Sequence, residues 1–221
     1  MFGNGTVWPD RYSRCGALWI HDGNPNNPHA LLTSGNHSGC YFNSRLIDRS
    51  LLYQAACDLF ELAVQKTDIH KIKGVVGPKN GATQLAKFMC ARKIQLTGQP
   101  CFWASPEKVG DGDLRQMVFN KVERQLLSNN RPLVIICEDA ITTAGSVKLT
   151  VDAVMKEGAE VVPLVAALMN WSGQQEADGR EIISLVNRDM TVWKPNDCPL
   201  CKAGSQALRP KDNWEILTAS Q

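Results

Sequence analysis

The stretch Val134-Ile135-Ile136-Cys137-Glu138-Asp139-Ala140-Ile141-Thr142-Thr143-Ala144-Gly145-Ser146 decides the fold. It begins as a short apolar run, β-branched at Val134, Ile135 and Ile136, which predicts a buried strand. Two adjacent carboxylates, Glu138 and Asp139, stand at the end of that run, and small hydroxyl residues and glycine follow from Thr142 to Ser146. Val147, Leu149, Val151, Val154 and Met155 then recur at roughly helical spacing, which predicts a helix over residues 146–158 ended by Gly158. The order is strand, acidic pair, small-residue loop, helix.

Each part has a chemical use. A helix N-terminus offers unpaired N–H groups and the positive end of a dipole, so it holds a phosphate well. Small residues let the backbone wrap an anion closely, and hydroxyls add donors. Two carboxylates just before such a loop suit ribose hydroxyls, or a Mg2+ ion carried in with a substrate. Together the parts fit a sugar phosphate with a polyphosphate arm. The plainer reading of the same residues is a strand-to-helix turn capped by Thr or Ser. No Lys follows the last glycine, so this is not a Walker A loop, and no dinucleotide G-x-G-x-x-G is present here.

The stretch resembles the phosphoribosyl-diphosphate (PRPP) signature of the type I phosphoribosyltransferases: an apolar strand, two acids, then Thr-Thr-small-Gly-Ser/Thr. The resemblance implies an α/β fold, with a central mostly parallel sheet flanked by helices and a small hood built from both ends of the chain. It implies that Glu138 and Asp139 face the ribose hydroxyls, with Mg2+ beside them on the PRPP. Thr142, Thr143, Ala144, Gly145 and Ser146 would cradle the 5-phosphate.

The totals agree with such a fold. The chain has 221 residues with 43% hydrophobic content, enough for one domain with a real core. The expected division is an arm and hood hairpin over residues 1–48, an α/β core over 49–190 and a tail over 191–221. Net charge is +2 and no large basic patch stands out, which gives nucleic-acid binding no support. The apolar runs are too short to span a bilayer. Asn4, Asp10 and Arg11 interrupt any signal-peptide pattern, so a reducing cytoplasm is expected for the eight scattered cysteines. Only Cys198 and Cys201 form a C-x-x-C. A zinc site there would need distant help from another Cys or a His, and a tight turn is the simpler reading.

Along the chain, residues 1–28 read as an irregular arm with one short element near Ala17 to Ile20. Such arms often pack on a partner subunit, and a homodimer is expected. Residues 29–47 predict a hairpin: an apolar entry, a turn at Thr33-Ser34-Gly35, and a second strand at Cys40-Tyr41-Phe42-Asn43. This resembles the N-terminal hairpin of the orotate phosphoribosyltransferases, which would set Tyr41 and Phe42 at the base. Residues 50–65 predict an amphipathic helix capped by Ser50. Residues 72–77 predict a strand, and the loop after it matches the place where the family binds pyrophosphate. Lys79, Asn80 and Gly81 are its candidate contacts.

Residues 99–119 predict a hairpin with a polar, Gly-containing centre. By resemblance it is the loop that carries basic residues to the pyrophosphate, and Lys108 is the candidate. The family's loop typically has several basic residues and a His; here Lys108 stands alone before Arg115, with Asp111 and Asp113 nearby. Residues 161–168 and 181–186 predict further strands. Where orotate enzymes carry an Asp-Arg pair that grips the orotate carboxylate, this chain reads Asn170-Trp171, and Thr33 replaces a frequent Lys.

The resemblance implies transfer of the 5-phosphoribosyl group from PRPP to a nucleobase, a pyrimidine such as orotate, in pyrimidine nucleotide biosynthesis. Catalysis would rest on Lys108, Glu138 and Asp139, with Asn170 and Trp171 at the base. Two alternatives stand beside it: another acceptor base, or a non-catalytic PRPP- or nucleotide-binding regulator.

Overall fold

The computed structural model describes residues 7–219. Residues 1–6 of the expected arm lie outside the described residues. In chain order the elements are α1 (Val7–Arg14), β1 (Leu18–Ile20), β2 (His29–Leu31), β3 (His37–Ser38), β4 (Cys40–Phe42), α2 (Arg49–Val64), β5 (Ile72–Val76) and α3 (Thr83–Thr97). Next come β6 (Phe102–Ala104), β7 (Glu107–Val109), β8 (Gln116–Val118), α4 (Lys121–Ser128), β9 (Leu133–Ile141), α5 (Gly145–Lys156) and β10 (Glu160–Asn170). The last are β11 (Glu176–Ala177), β12 (Arg180–Asn187), β13 (Val192–Trp193), α6 (Pro199–Lys202), β14 (Ala207–Leu208) and α7 (Trp214–Thr218). None of the described helices is long and apolar enough to cross a membrane.

The chain divides into two compact units, Asp48–Arg188 and a second one formed by the residues up to Ile47 with those from Asp189 onward. The larger unit holds a six-stranded sheet in the order β11-β12-β10-β9-β5-β6. Every pairing in it is parallel except β11 with β12. Strands buried on both faces need continuous apolar runs, and β9 supplies Val134, Ile135, Ile136 and Cys137, all 0% exposed. α5 turns Val147, Val151 and Val154 into the core beside Val134, Ile136 and Val165. Its carbonyl end stops at Lys156, just before Gly158 takes the left-handed backbone (φ +93°).

The expected helix over residues 50–65 is α2, but its cap is Asp48, whose carboxylate accepts from the Ser50 and Leu51 amides; Ser50 lies inside the helix. Residues 121–128 form α4 behind a full capping box, with Asn120 and Glu123 exchanging side-chain and backbone bonds. The hairpin read over residues 99–119 is β7 paired with β8, and Phe102–Ala104 leaves it to become the edge strand β6 of the main sheet.

The smaller unit has its own four-stranded sheet, β13-β3-β2-β14, and a separate β1-β4 pair. The arm, expected to be irregular before Ala17, contains a helix, α1, with Trp8 and Tyr12 buried. The predicted hairpin also needs correction. β2 turns back onto β3, while Cys40–Phe42 pairs with β1 through Trp19↔Tyr41.

Candidate functional site

Parallel strands end on one edge of the sheet, and ligands of such folds sit at that carboxyl edge. Three loops of the larger unit meet the edge here: residues 77–82 after β5, 142–144 after β9 and 171–174 after β10. Trp171 N–H donates to the Ile141 carbonyl (2.7 Å), which binds the last two together. The first is fixed by Gly77 N–H to the Ala104 carbonyl (3.0 Å), Lys79 N–H to the Pro106 carbonyl (2.9 Å), and Ser105 Oγ to the Gly77 carbonyl (2.8 Å).

The acids were expected at the end of the apolar strand. β9 instead runs through them to Ile141, and period-2 alternation turns the two side chains to opposite faces. Glu138 forms part of the wall of a small cleft with Ala140 and residues 141–147. Asp139 faces the other loop: a Cβ on Gly81 would meet its carboxylate at 2.8–2.9 Å. Gly77 is equally constrained, since a Cβ there would lie 2.5 Å from the Ala82 carbonyl oxygen. Asp139 also accepts from the Ala140 amide at 2.8 Å.

Glu138 is 5% exposed, and its Oε1 finds no hydrogen-bond partner among the described residues. Burial pushes its carboxyl from 4.5 up to about 8; the charge of Asp139 adds to this and Lys108 opposes it. An orphaned, buried carboxylate oxygen is a site for a donor or a cation, so the residues present fit ribose hydroxyls or Mg2+.

The helix begins one residue earlier than expected, because Gly145 already belongs to the first turn of α5 with Ser146. Ala144 is the N-cap in left-handed backbone (φ 57°), and no side chain caps the helix. The plain capped turn is therefore not what forms. The exposed Thr142 and Thr143 stay outside the helix. The Lys108 ammonium, carried on β7, donates to Ser146 Oγ at 2.8 Å. Lys79 is drawn aside into an ion pair with Glu107 at the start of β7 (2.9 Å), a pairing across 28 residues that no local pattern marks. Asn80, beside it, is left-handed (φ 71°) and exposed.

The expected base residues fare differently. Asn170 is 1% exposed, and its amide holds the following turn: Oδ1 accepts from Ser172 N–H (3.1 Å) and Oγ–H (2.6 Å), and Nδ2 donates to the Gln174 carbonyl (2.9 Å). Trp171 is 6% exposed. In the other unit, Phe42 is packed at 5.1 Å against Tyr12 in the core, and Tyr41 is half-buried against Trp214 (5.7 Å). Arg188, which no sequence motif marks, directly follows β12 with its N–H on the Asn170 carbonyl (2.9 Å) and its side chain exposed.

No family model matches the chain. Among curated proteins, it is 32% identical over 184 residues to the orotate phosphoribosyltransferase of Carboxydothermus hydrogenoformans, covering 82% of this chain and 88% of the relative. It is 31% identical over 183 residues to that of Thermotoga maritima, covering 82% and 89%. The chain belongs to the orotate phosphoribosyltransferase family. The crystal structure of orotate phosphoribosyltransferase from Aeropyrum pernix has the same fold, with a TM-score of 0.57 at 19% identity over 82% of this chain and 93% of that one. The three places where the resemblance implied a cation read Thr33, a hairpin with Lys108 beside Asp111 and Asp113, and Trp171.

Proposed function

We propose that the chain transfers the 5-phosphoribosyl group of PRPP to the pyrimidine orotate and releases pyrophosphate. One observation carries this reading: the head of α5 has no side-chain cap and begins on a left-handed Ala144, while a lysine ammonium rests on its first turn. Unpaired amides, a dipole end and a cation together are an anion cradle. The names of the curated relatives supply the substrate class.

The 5-phosphate is held by the amides at the start of α5. Glu138 and Asp139 take the ribose hydroxyls from opposite faces of β9. The backbone of residues 77–82 and the Lys108 ammonium take the pyrophosphate, whose departure leaves oxocarbenium-like charge on the ribose. Both carboxylates stabilise that charge. Glu138 and Asp139 would hold a Mg2+ ion brought in with PRPP, which would supply positive charge to the departing pyrophosphate. No covalent nucleophile is needed; orientation and electrostatics do the work. Arg188 is the cation this sheet edge offers to an orotate carboxylate in place of the missing arginine at 171. The protein works as a homodimer in the cytoplasm.

A second reading is favoured by the buried Trp171 and by the neutral Asn170 amide, already engaged by Ser172 and Gln174, which offer an anionic base no charge: the acceptor is a neutral base. Pyrophosphate release from PRPP, measured against a panel of bases, separates the two. Orotate as the best acceptor supports the first reading; a neutral base preferred over orotate overturns it. Light scattering on the purified chain tests the dimer.

A further inference from the structure

The Cys198-Pro199-Leu200-Cys201 turn has no part in phosphoribosyl transfer. It lies in the smaller unit, which brings it against two histidines far away in sequence. His29 is on β2 and His37 on β3, antiparallel neighbours in register at Leu31↔His37. β14, shortly after the turn, runs parallel to β2 with Ala207 opposite His29, and so returns the chain to the histidine strands. His29 Nε2 lies 3.0 Å from His37 Nδ1 and 3.5 Å from both Cys198 Sγ and Cys201 Sγ. Cys201 Sγ lies 3.2 Å from His37 Nδ1. All four ligand atoms fall within 4.8 Å of one another. His29 and Cys198 are 0% exposed, and Cys201 is half-buried.

Hydrogen bonds do not account for this convergence. The Ser205 hydroxyl donates to the Asn27 carbonyl (2.6 Å) and therefore accepts from His29 Nδ1–H (2.8 Å). With its proton on Nδ1, His29 keeps one in-plane lone pair at Nε2. Three neighbours crowd that lone pair, and it can satisfy one. A cation among the four atoms satisfies them all. In a tetrahedral zinc site, with Zn–N of about 2.0–2.1 Å and Zn–S of about 2.3 Å, neighbouring ligand atoms stand about 3.3–3.8 Å apart. The two sulfur contacts of His29, 3.5 Å each, fall inside that span, and the contacts of His37 Nδ1, 3.0 and 3.2 Å, lie just below it. The Cys201 N–H directed at Cys198 Sγ (3.5 Å) further suits a thiolate there. Ser205 acts as the outer partner that orients a ligating imidazole. Two sulfurs and two nitrogens select Zn2+ over the harder divalent ions.

We propose that His29, His37, Cys198 and Cys201 hold one structural Zn2+ ion, which ties the β2–β3 hairpin to the turn before β14. Four protein ligands leave no open position, so the ion braces the unit and does not act on a substrate. It joins residues up to 172 positions apart, the two ends of the chain that make this unit.

Full-length protein purified from zinc-supplied cells is assayed for metals by mass spectrometry. Protein made in cobalt-supplied minimal medium is examined by visible absorption. About one zinc per chain is expected, with the d–d and thiolate charge-transfer bands of tetrahedral Co2+. Cys201→Ser should lose at least about nine-tenths of the metal, whereas Cys15→Ser, in the same unit but outside the cluster, keeps it. If Cys201→Ser does not fold, the wild-type metal content and cobalt spectrum decide alone. Less than about a tenth of a zinc per chain with no tetrahedral cobalt spectrum overturns the proposal. So does full metal content in Cys201→Ser, or a Cys198–Cys201 disulfide in place of the metal.

Discussion

Glu138 is the group whose protonation the substrate should change. It is buried, its Oε1 lacks a partner among the described residues, and its carboxyl is pushed up to about 8, first by burial and then by the charge of Asp139. At pH 7 the free protein therefore holds it about nine-tenths protonated. Ribose hydroxyls donate to the charged form and Mg2+ attracts it, so both pull the value down. A group whose pKa falls on binding gives up its proton. PRPP binding at pH 7 should release about 0.9 proton per site, and affinity should rise about tenfold per pH unit below 8, then level off. Calorimetry in two buffers of different ionisation enthalpy reads the proton number directly. Glu138→Gln keeps the size of the side chain and removes the titration. Its proton release at pH 7 should fall close to that of PRPP itself in the same buffers. Equal proton release from the wild type and Glu138→Gln would refute the reasoning.

Other outcomes follow from the same geometry. Because the Glu138 value in the fold lies above its unfolded 4.5, its contribution to stability is complete below pH about 4.5 and is lost as pH rises through about 8. Chemical denaturation of the free protein should show a loss of order a few kcal/mol across that window, largely absent in Glu138→Gln. Gly81→Ala pushes on the Asp139 carboxylate, a movable group, so the protein should fold while kcat/KM for PRPP drops about tenfold to hundredfold; unchanged kinetics would mean that Asp139 has no part in the site. Lys108→Met removes the ammonium from the head of α5 and should lower kcat about a hundredfold in steady-state assays, with the fold intact by circular dichroism. A loss below threefold, roughly, would assign Lys108 a surface role.

Much of the α/β core was legible. β9, β10 and α5 each carry apolar runs or helical spacing long enough to outweigh local propensity. The division of the acids between two faces was legible in principle, since alternation follows from any strand that includes both Glu138 and Asp139. Reading the strand as ending before them hid it. What stayed hidden depends on pairing between distant residues. Nothing local says that Cys40–Phe42 returns to β1 and not to β2, or that Lys79 is neutralised by Glu107. The left-handed cap at Ala144 runs against that residue's own preference and is set by the loop around it. The C-x-x-C was visible, but its histidine partners are separated from it by more than 160 residues and are joined only by the small sheet.

In the proposed site the amides at the head of α5 grip the 5-phosphate of PRPP. A crystal structure of the chain with PRPP and Mg2+ is the decisive experiment. The phosphate is expected within hydrogen-bond reach of backbone N–H groups between Ala144 and Val147, with the ribose at Glu138. A 5-phosphate bound elsewhere, with those amides closed by the protein's own groups, would contradict it.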